Sequence, residues 1–266
     1  MSKDMFDRAS VTGPLQVEFR GYQREAIDAL YAWFERESGN PLVVAPTGSG
    51  KSMIAAGFIH SVIAQWPTER IVVATHVREL VSQDYDALLR AWPNAPAGIC
   101  SAGLRRREWQ APILFAGIQT VYKHAKKVGW TDLVIIDEAH LLPKEGFGMY
   151  RTFLDALLSM NDKLKVIGLT ATPFRTDSGR LDEGKDRMFH GVAYDCDLVK
   201  LIDDGFLSPV KSRGTAAEID VSGVHKRGGE FIAGELEAAA LADGLVEAAA
   251  DEIVARHRHQ VALAHV

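Results

Sequence analysis

The octapeptide APTGSGKS (Ala45–Ser52) constrains the fold of this chain more than any other stretch. It follows the apolar run Pro41–Ala45 and precedes an amphipathic stretch, which is the strand–loop–helix context that a phosphate-binding loop requires. Gly48 and Gly50 let the backbone curl so that successive N–H groups face an anion, and the helix start adds its positive end. Ala45 stands where such loops usually begin with glycine. The alternative interpretation is a glycine-rich turn followed by a chance Lys-Ser pair.

Two side chains of this loop are predicted to act on a bound nucleotide. Lys51 would neutralise the β- and γ-phosphates of ATP, and the Ser52 hydroxyl would ligate Mg²⁺. The residues predicted to bind ATP at the loop are Thr47, Gly48, Ser49, Gly50, Lys51 and Ser52.

Two acids, Asp137 and Glu138, follow the apolar run Leu133–Ile136. Carboxylates at the end of a buried strand are costly without a cation or a hydrogen-bond donor. A Mg²⁺ ion held by Ser52 and Asp137 would supply that partner, and Glu138 would orient and deprotonate the attacking water. An acidic helix start is the alternative. With Lys51, these two acids are the predicted catalytic residues.

Short apolar runs alternate with longer amphipathic stretches, which predicts an α/β fold with a parallel sheet and helices on both faces. The predicted strands are Pro41–Ala45, Arg70–Thr75, Pro112–Gly117, Asp132–Asp137 and Lys165–Thr170. The predicted helices between them are Tyr22–Arg36, Ser52–Gln65 and Val77–Trp92. Phosphate chemistry would then lie at the carboxyl ends of the strands, where open α/β sheets bind their ligands.

Charge and composition limit the partners of the chain. The net charge is −5 with a pI near 6.0, so a nucleic-acid groove would be a local basic patch rather than a property of the whole surface. The two cysteines, Cys100 and Cys196, lack partners at metal-ligand spacing and are expected to be reduced thiols. No apolar run reaches membrane-spanning length, so a soluble, cytoplasmic protein is expected.

Four segments in this order resemble superfamily 2 helicases: Ala45–Ser52, THVRELVSQ (Thr75–Gln83), DEAH (Asp137–His140) and LTATPFR (Leu169–Arg175). Within the superfamily the chain looks most like the bacterial RadD-type DNA-repair ATPases. The resemblance implies a RecA-like P-loop NTPase fold, ATP and Mg²⁺ as cofactors, and a nucleic-acid partner that is DNA rather than RNA.

The resemblance also assigns Arg20 and Gln23 to the recognition of adenine. A glutamine amide donates and accepts at once, which suits the adenine edge, and an arginine can stack on the base. A solvated helix start is the alternative for both residues.

Two further segments correspond to positions that contact the nucleic-acid backbone in the superfamily. Hydroxyls, amides and backbone N–H groups there would bind phosphates without reading bases. For Arg78 the alternative is a surface ion pair with Glu79 on one helix. The residues assigned to nucleic acid are Thr75, His76, Arg78, Gly117, Gln119 and Thr120.

Thr170 and Thr172 correspond to the segment that couples nucleotide state to strand movement in the superfamily. Their hydroxyls are expected to bond to His140 and so tie the nucleotide site to the nucleic-acid site. A Ser/Thr turn at a strand end is the plainer alternative, and it is compatible with the first.

The domain prediction places a first RecA-like lobe at residues 1–230. Residues 231–266 would form a linker helix and the first strand, VALAHV (Val261–Val266), of a second lobe that these residues leave incomplete. That lobe supplies transition-state arginines in such motors, so slow ATP hydrolysis is expected unless another polypeptide provides them. The alternatives are a non-catalytic ATP- or DNA-binding module and a motor fragment of a restriction-type translocase.

Overall fold

The computed structural model describes residues 13–142, 148–175, 179–185, 187–209, 220–227 and 230–242, with isolated positions up to 254. The chain divides into two compact units, residues 1–208 and 209–266.

A single eight-stranded sheet organises the described part of the first unit. Its strands are β1 (Pro41–Val44), β2 (Ile71–Thr75), β3 (Ala97–Ser101), β4 (Arg106–Arg107), β5 (Ile113–Gly117), β6 (Leu133–Ile136), β7 (Lys165–Thr170) and β10 (Gly191–Asp195). The strand order is β10-β1-β7-β6-β2-β5-β3-β4, and all neighbours pair in parallel except β4, which pairs antiparallel with β3. A separate hairpin joins β8 (Phe174–Arg175) to β9 (Gly179–Arg180).

Helices cover both faces of this sheet. One face carries α1 (Gly21–Arg36), α2 (Lys51–Gln65), α3 (Arg78–Ala91) and α7 (Leu198–Asp203). The other carries α4 (Ile118–Val121), α5 (Ala125–Val128) and α6 (Met149–Leu158), and a short 3₁₀ helix spans Ala139–Leu141.

Alternate strand residues feed two separate hydrophobic cores. Val43 and Ile135 pack under α1, α2 and α3, whereas Leu42 and Val134 pack under α4, α5 and α6. Because each strand is buried on both faces, its sequence reads as a continuous apolar run rather than as an alternating one. This is why the five predicted strands could be found from hydrophobicity.

The predicted α/β class, the five strands and the three helices are confirmed. The sheet also contains three strands that the sequence analysis did not predict, β3, β4 and β10. β3 includes Gly98 and Cys100 and follows two prolines closely, so its apolar signal is weak. The β10 strand is only half-buried because it lies at the sheet edge.

The second unit has few described elements. A two-residue antiparallel pair joins β11 (Lys226–Arg227) and β12 (Glu230–Phe231), and α8 spans Ala233–Ala242. Helix α8 lies within residues 231–266, where a linker helix is predicted, and Gly244 after its end adopts a left-handed φ of +65°. The predicted strand Val261–Val266 lies outside the described residues, and the lobe boundary at 230 stays a prediction.

Two other expectations concern the cysteines and membranes. Cys100 and Cys196 are buried free thiols, as predicted, and burial raises the pKa of each to about 11. In the part of the chain that the structure describes, no helix has the length and apolarity needed to cross a bilayer.

The close packing of Phe189 and Leu42 against Gly168 in β7 gives a test of this core. A Cβ at Gly168 in β7 would lie 2.5 Å from the Phe189 ring and 2.6 Å from Leu42 Cδ2. Gly168→Ala should therefore lower the free energy of unfolding by about 1–3 kcal/mol, measured by urea denaturation. Gly21→Ala is the matched control, because nothing lies within 4 Å of the added methyl. Equal stability of the two variants would contradict this packing.

Candidate nucleotide site and nucleic-acid edge

Three neighbouring strands bring the predicted nucleotide residues together. β1, β7 and β6 are adjacent, and the phosphate loop, Thr170 and Asp137 stand at their carboxyl ends. At this edge Ala45 N donates to the carbonyl of Thr170 (2.9 Å), which ties β1 to β7, and Asp137 N donates to that of Ala74 (3.0 Å), which ties β6 to β2. Parallel pairing places distant segments side by side, as open α/β sheets do at their ligand sites.

The loop backbone has the conformation that the glycines predict. Gly48 and Gly50 have φ values of +82° and +84°, a region that side chains with a Cβ rarely adopt. Helix α2 starts at Lys51, and no side chain caps its first turn. Its first N–H groups therefore remain available to an anion.

Helix α1 holds this loop in place. The Tyr22 hydroxyl donates to the carbonyl of Ser49 at 2.6 Å, and Gln23 Nε2 donates to the same carbonyl at 3.3 Å. Gln23 Oε1 accepts from the Arg20 N–H at 3.0 Å. The Gln23 amide is thus buried against the loop, and its predicted role in reading adenine stays a prediction.

Arg20 lies on a small aromatic cluster beside the loop. Its guanidinium is 4.9 Å from the centre of the Phe206 ring, and Nη1 donates to the Tyr22 hydroxyl at 3.2 Å. Tyr22 and Phe206 meet edge to face, with ring centres 5.4 Å apart. Leu207, the next residue, would lie 3.3 Å from a Cβ at Gly48. A partly exposed surface with a guanidinium and an aromatic ring therefore adjoins the phosphate loop.

The Lys51–Glu138 contact links the loop to the end of β6. Lys51 Nζ lies 3.5 Å from Glu138 Oε1, and the side chains are only 11% and 20% exposed. The bond with His140 and the charge of Lys51 hold the pKa of Glu138 below its usual range, against the effect of burial. Glu138 also has a left-handed φ of +51°, an uncommon conformation for a residue with a Cβ. Such outliers cluster at functional sites.

A buried aspartate that the sequence analysis did not predict completes the cluster. The Ser52 hydroxyl donates to Asp84 Oδ1 of helix α3 at 2.6 Å, and Asp84 interacts with Asp137. Both aspartates are 5% exposed. Burial raises the pKa of Asp137 to about 8 and that of Asp84 to about 6, and the negative neighbours add to both shifts.

These acids are suited to a cation that also binds a nucleotide. Asp84 Oδ2 and Asp137 Oδ1 are buried and have no hydrogen-bond partner among the described residues. Within the same residues, no group of three His, Cys, Asp or Glu side chains is placed to hold a metal by itself. Mg²⁺ characteristically takes one or two protein oxygens together with substrate phosphates, so the donor set fits that ion.

The predicted coupling residues are in contact. His140 Nδ1 lies 3.3 Å from Thr170 Oγ1 and 3.1 Å from Glu138 Oε2. The Thr170 hydroxyl donates to the carbonyl of Thr172 at 2.8 Å and accepts from its N–H at 3.3 Å. A proton on His140 Nδ1 suits both acceptors. The predicted His140–Thr170 contact and the alternative Ser/Thr turn are both present, while Thr172 takes part through its backbone.

The residues predicted to contact nucleic acid lie at the next strands of the same edge. Gln119 Nε2 donates to the carbonyl of His76 at 2.7 Å, which ties the end of β5 to the end of β2. The Ala102 N–H donates to Thr120 Oγ1 at 2.9 Å, which adds the loop after β3. Thr75 and Gly117 are buried at their strand ends.

Two of the three arginines near this edge, Arg78 and Arg106, form ion pairs with neighbouring glutamates. Arg78 pairs with Glu79 at 2.7 Å, so the predicted surface pair is present. Arg106 pairs with Glu108 at 2.8 Å and covers the Tyr85 ring. Arg105 is exposed and has a left-handed φ of +54° in the turn after β3.

Comparison with known proteins identifies the family. Residues 16–175 match the family described as Type III restriction enzyme, res subunit, which is more than half of the chain. The chain belongs to this family. The match spans the segment from α1 to the end of the LTATPFR segment and confirms the helicase-type assignment at the level of the superfamily. The narrower RadD-type resemblance stays a prediction.

Individual relatives agree with this family. The chain is 29% identical over 178 residues to the DEAD-box ATP-dependent DNA helicase Fancm of Drosophila melanogaster, covering 61% of this chain and 11% of that protein. It is 26% identical over 211 residues to putative helicase 22 of a Sulfolobus islandicus filamentous virus, covering 73% of this chain and 34% of that protein. The chain therefore spans about a third or less of these relatives.

A solved structure supports the fold. A nuclease-deletion mutant of the Type ISP restriction-modification enzyme LlaGI, in complex with a DNA substrate mimic, superposes with a TM-score of 0.52 at 15% identity. The likeness covers 71% of this chain and 21% of the LlaGI chain. At this identity it shows the shared α/β architecture.

Tyr22, Asp84 and Phe206 are the site residues that sequence reasoning missed. Asp84 carried a signal, because it shares helical spacing with Val81 and Leu88 on the buried face of α3. An acid on such a face needs a partner. Phe206 carried no such signal in the sequence, since only the tertiary fold brings it next to Arg20.

The raised pKa of Asp137 predicts a pH-dependent stability. An unfolded aspartate ionises near pH ~3.9, whereas the folded one keeps its proton up to about pH 8, so the metal-free protein loses stability as pH rises between these values. Asp137→Asn should therefore stabilise the chain more at about pH 8 than at about pH 5. Urea unfolding in EDTA at both pH values measures this. An equal effect at both values would contradict it.

Proposed function

We propose that this chain is the ATP-binding lobe of a nucleic-acid-dependent ATPase of the helicase type, acting on DNA. The observation that carries the proposal is the Lys51–Glu138 contact of 3.5 Å between the phosphate loop and the end of β6. The contact places Lys51, a cation suited to neutralising phosphate, next to Glu138, a carboxylate suited to act as a base, at the start of α2. Family membership and the DNA helicase names of several relatives support the choice.

Each residue of the cluster has a distinct role in this proposal. The loop N–H groups and Lys51 bind the β- and γ-phosphates, and Glu138 orients the attacking water and takes its proton. Ser52 and Asp137 would hold Mg²⁺, with phosphate oxygens completing the coordination. The bound ion would neutralise charge that develops on the transferring phosphoryl group. The lowered pKa of Glu138 keeps it ionised and able to accept a proton.

The base would lie on the Arg20–Phe206 surface. The Arg20 guanidinium lies over the Phe206 ring next to the loop, and both groups can contact the face of a base. Gln23 Nε2 donates to the Ser49 carbonyl of the loop. In this proposal the Gln23 amide also faces the adenine edge.

The His140–Thr170 contact would make the conformation at the end of β7 depend on the bound nucleotide. His140 approaches both Glu138 and Thr170, so a shift of Glu138 toward water alters the contacts at the start of the LTATPFR segment. That segment begins with the last two residues of β7, Leu169 and Thr170.

The nucleic-acid surface would use the ends of β2, β5 and β3. The polar groups of this edge contact one another through backbone carbonyls and N–H groups, which suits recognition of a phosphate backbone rather than of bases. The proposal takes DNA as the partner because relatives are named as DNA helicases. A repair role, in line with the RadD-type resemblance, and a second lobe supplied by further polypeptide belong to this proposal.

A restriction-type translocase motor is the second candidate, and the family description favours it. Such a translocase would hydrolyse ATP with the same residues as a helicase and would differ in serving restriction of DNA. A non-catalytic ATP- or DNA-binding module is the remaining alternative, and ATP turnover separates it from both.

Two variants test the nucleotide chemistry. Lys51→Ala should abolish the binding of a fluorescent ATP analogue, because the principal phosphate cation is lost. Glu138→Gln should retain binding and, in a protein that contains both motor lobes, lower DNA-stimulated ATP turnover about 10²-fold or more, because the general base is lost.

Lys163→Ala and Glu37→Gln are the matched controls, since both side chains are exposed. Binding is followed by fluorescence and turnover by phosphate release. Undiminished binding by Lys51→Ala would refute the proposed phosphate site, and unchanged turnover by Glu138→Gln would refute the proposed base.

The nucleic-acid edge is tested by the double variant Arg78→Ala/Arg105→Ala. Removal of these two charges should weaken single-stranded DNA binding and lower the log–log salt slope of the affinity by about one unit for each phosphate that is no longer neutralised. Fluorescence anisotropy across a salt series measures both quantities. Arg36→Ala, at the exposed end of α1, is the control. An unchanged salt slope in the double variant would place the DNA elsewhere.

A further inference from the structure

The Ser52–Asp84 hydrogen bond connects the phosphate loop to helix α3, at the residue directly after the helicase-like segment Thr75–Gln83. Ser52 is the second residue of α2, and Asp84 lies in the middle of α3. The donor–acceptor distance of 2.6 Å is in the range of a charge-assisted O–H···O⁻ bond. Asp84 is 5% exposed, so water does not compete strongly for this contact.

This bond sets the orientation of the Ser52 hydroxyl. A serine hydroxyl has one proton to donate and two lone pairs, and its proton rotates to the best acceptor. With the proton directed to Asp84, the lone pairs of Ser52 Oγ are left to accept a cation. A hydroxyl whose proton were turned toward the ion would repel it.

The charge around this bond is unbalanced in the absence of a cation. Asp84, Asp137 and Glu138 interact electrostatically with one another, and Lys51 is the cation that acts on all three. Two of the carboxylate oxygens, Asp84 Oδ2 and Asp137 Oδ1, are buried without a partner in the described structure. Buried carboxylates in this state need a cation or a proton.

We infer that Asp84 is a positioning residue for the divalent cation of the bound nucleotide: it aligns the Ser52 hydroxyl as a ligand and adds negative charge beside Asp137. The inference rests on the proposed function. The plain alternative is a structural tie between α2 and α3, in which Asp84 matters for stability and has no effect on the metal.

The two roles predict different outcomes for Asp84→Asn and Asp84→Ala. The asparagine is isosteric and retains an acceptor for Ser52 but no charge, whereas the alanine loses both. Affinity for a fluorescent ADP analogue is measured on the whole chain with Mg²⁺ and with EDTA, and Mn²⁺ binding to the nucleotide complex is followed by electron paramagnetic resonance.

We expect the gain in affinity that Mg²⁺ provides to fall in Asp84→Asn and to fall further in Asp84→Ala, by about 10- to 100-fold, as for outer-shell partners of metal sites. Affinity in EDTA should stay close to that of the unchanged chain. The metal-free melting temperature of Asp84→Asn should not fall, because the substitution removes a buried acid and keeps a hydrogen-bond acceptor for Ser52. Asp86→Asn, exposed on the same helix, is the matched control.

Failure of this inference and of the proposed function can be told apart. If the unchanged chain binds nucleotide more tightly with Mg²⁺ and both Asp84 variants keep that gain, the inference is overturned and the proposed function stands. A metal-free loss of stability or of folding in Asp84→Asn would establish the structural tie and overturn the inference. If the unchanged chain binds no nucleotide with Mg²⁺, both are overturned.

Discussion

Buried negative charge at the end of β6 is the constraint around which the proposed nucleotide site is arranged. Asp137 and Asp84 are both 5% exposed, and their carboxyl groups interact with each other and with Glu138. Lys51 offsets part of this charge from the start of α2. An apolar residue at either aspartate would be easier to bury, so the fold retains an electrostatic strain that a cation or a proton relieves.

The order of the strands determines which segments lie next to these acidic residues. Because β1, β7 and β6 are neighbours, the phosphate loop, Thr170 and Asp137 meet at one half of the carboxyl edge. The next strands, β2, β5 and β3, place the predicted nucleic-acid residues at the other half. His140 lies between Glu138 and Thr170, and the Gln119–His76 bond ties two strand ends in the second half. One sheet edge therefore supports both proposed sites.

Local sequence was sufficient for the parts of the site that depend on local geometry. Gly48 and Gly50 were predicted from their backbone requirement, and Lys51 and Ser52 follow from the strand–loop–helix context. The five buried parallel strands were visible as apolar runs because both faces are covered. The short edge elements β4 and β10 and the Gly-containing β3 lacked this signal, since partial burial and glycine weaken the hydrophobic pattern.

The sequence by itself determined the phosphate loop, the acids after β6 and the α/β class, because each depends on residues that are adjacent in the chain. Only the tertiary structure decided that Ser52 donates to Asp84, that Tyr22 and Gln23 hold the loop through Ser49, and that Phe206 lies under Arg20. The Ser52–Asp84 and Tyr22–Ser49 pairs are 32 and 27 residues apart in sequence. No local pattern specifies such pairs. Packing of α1 and α3 beside α2 on one face of the sheet brings them within hydrogen-bond distance.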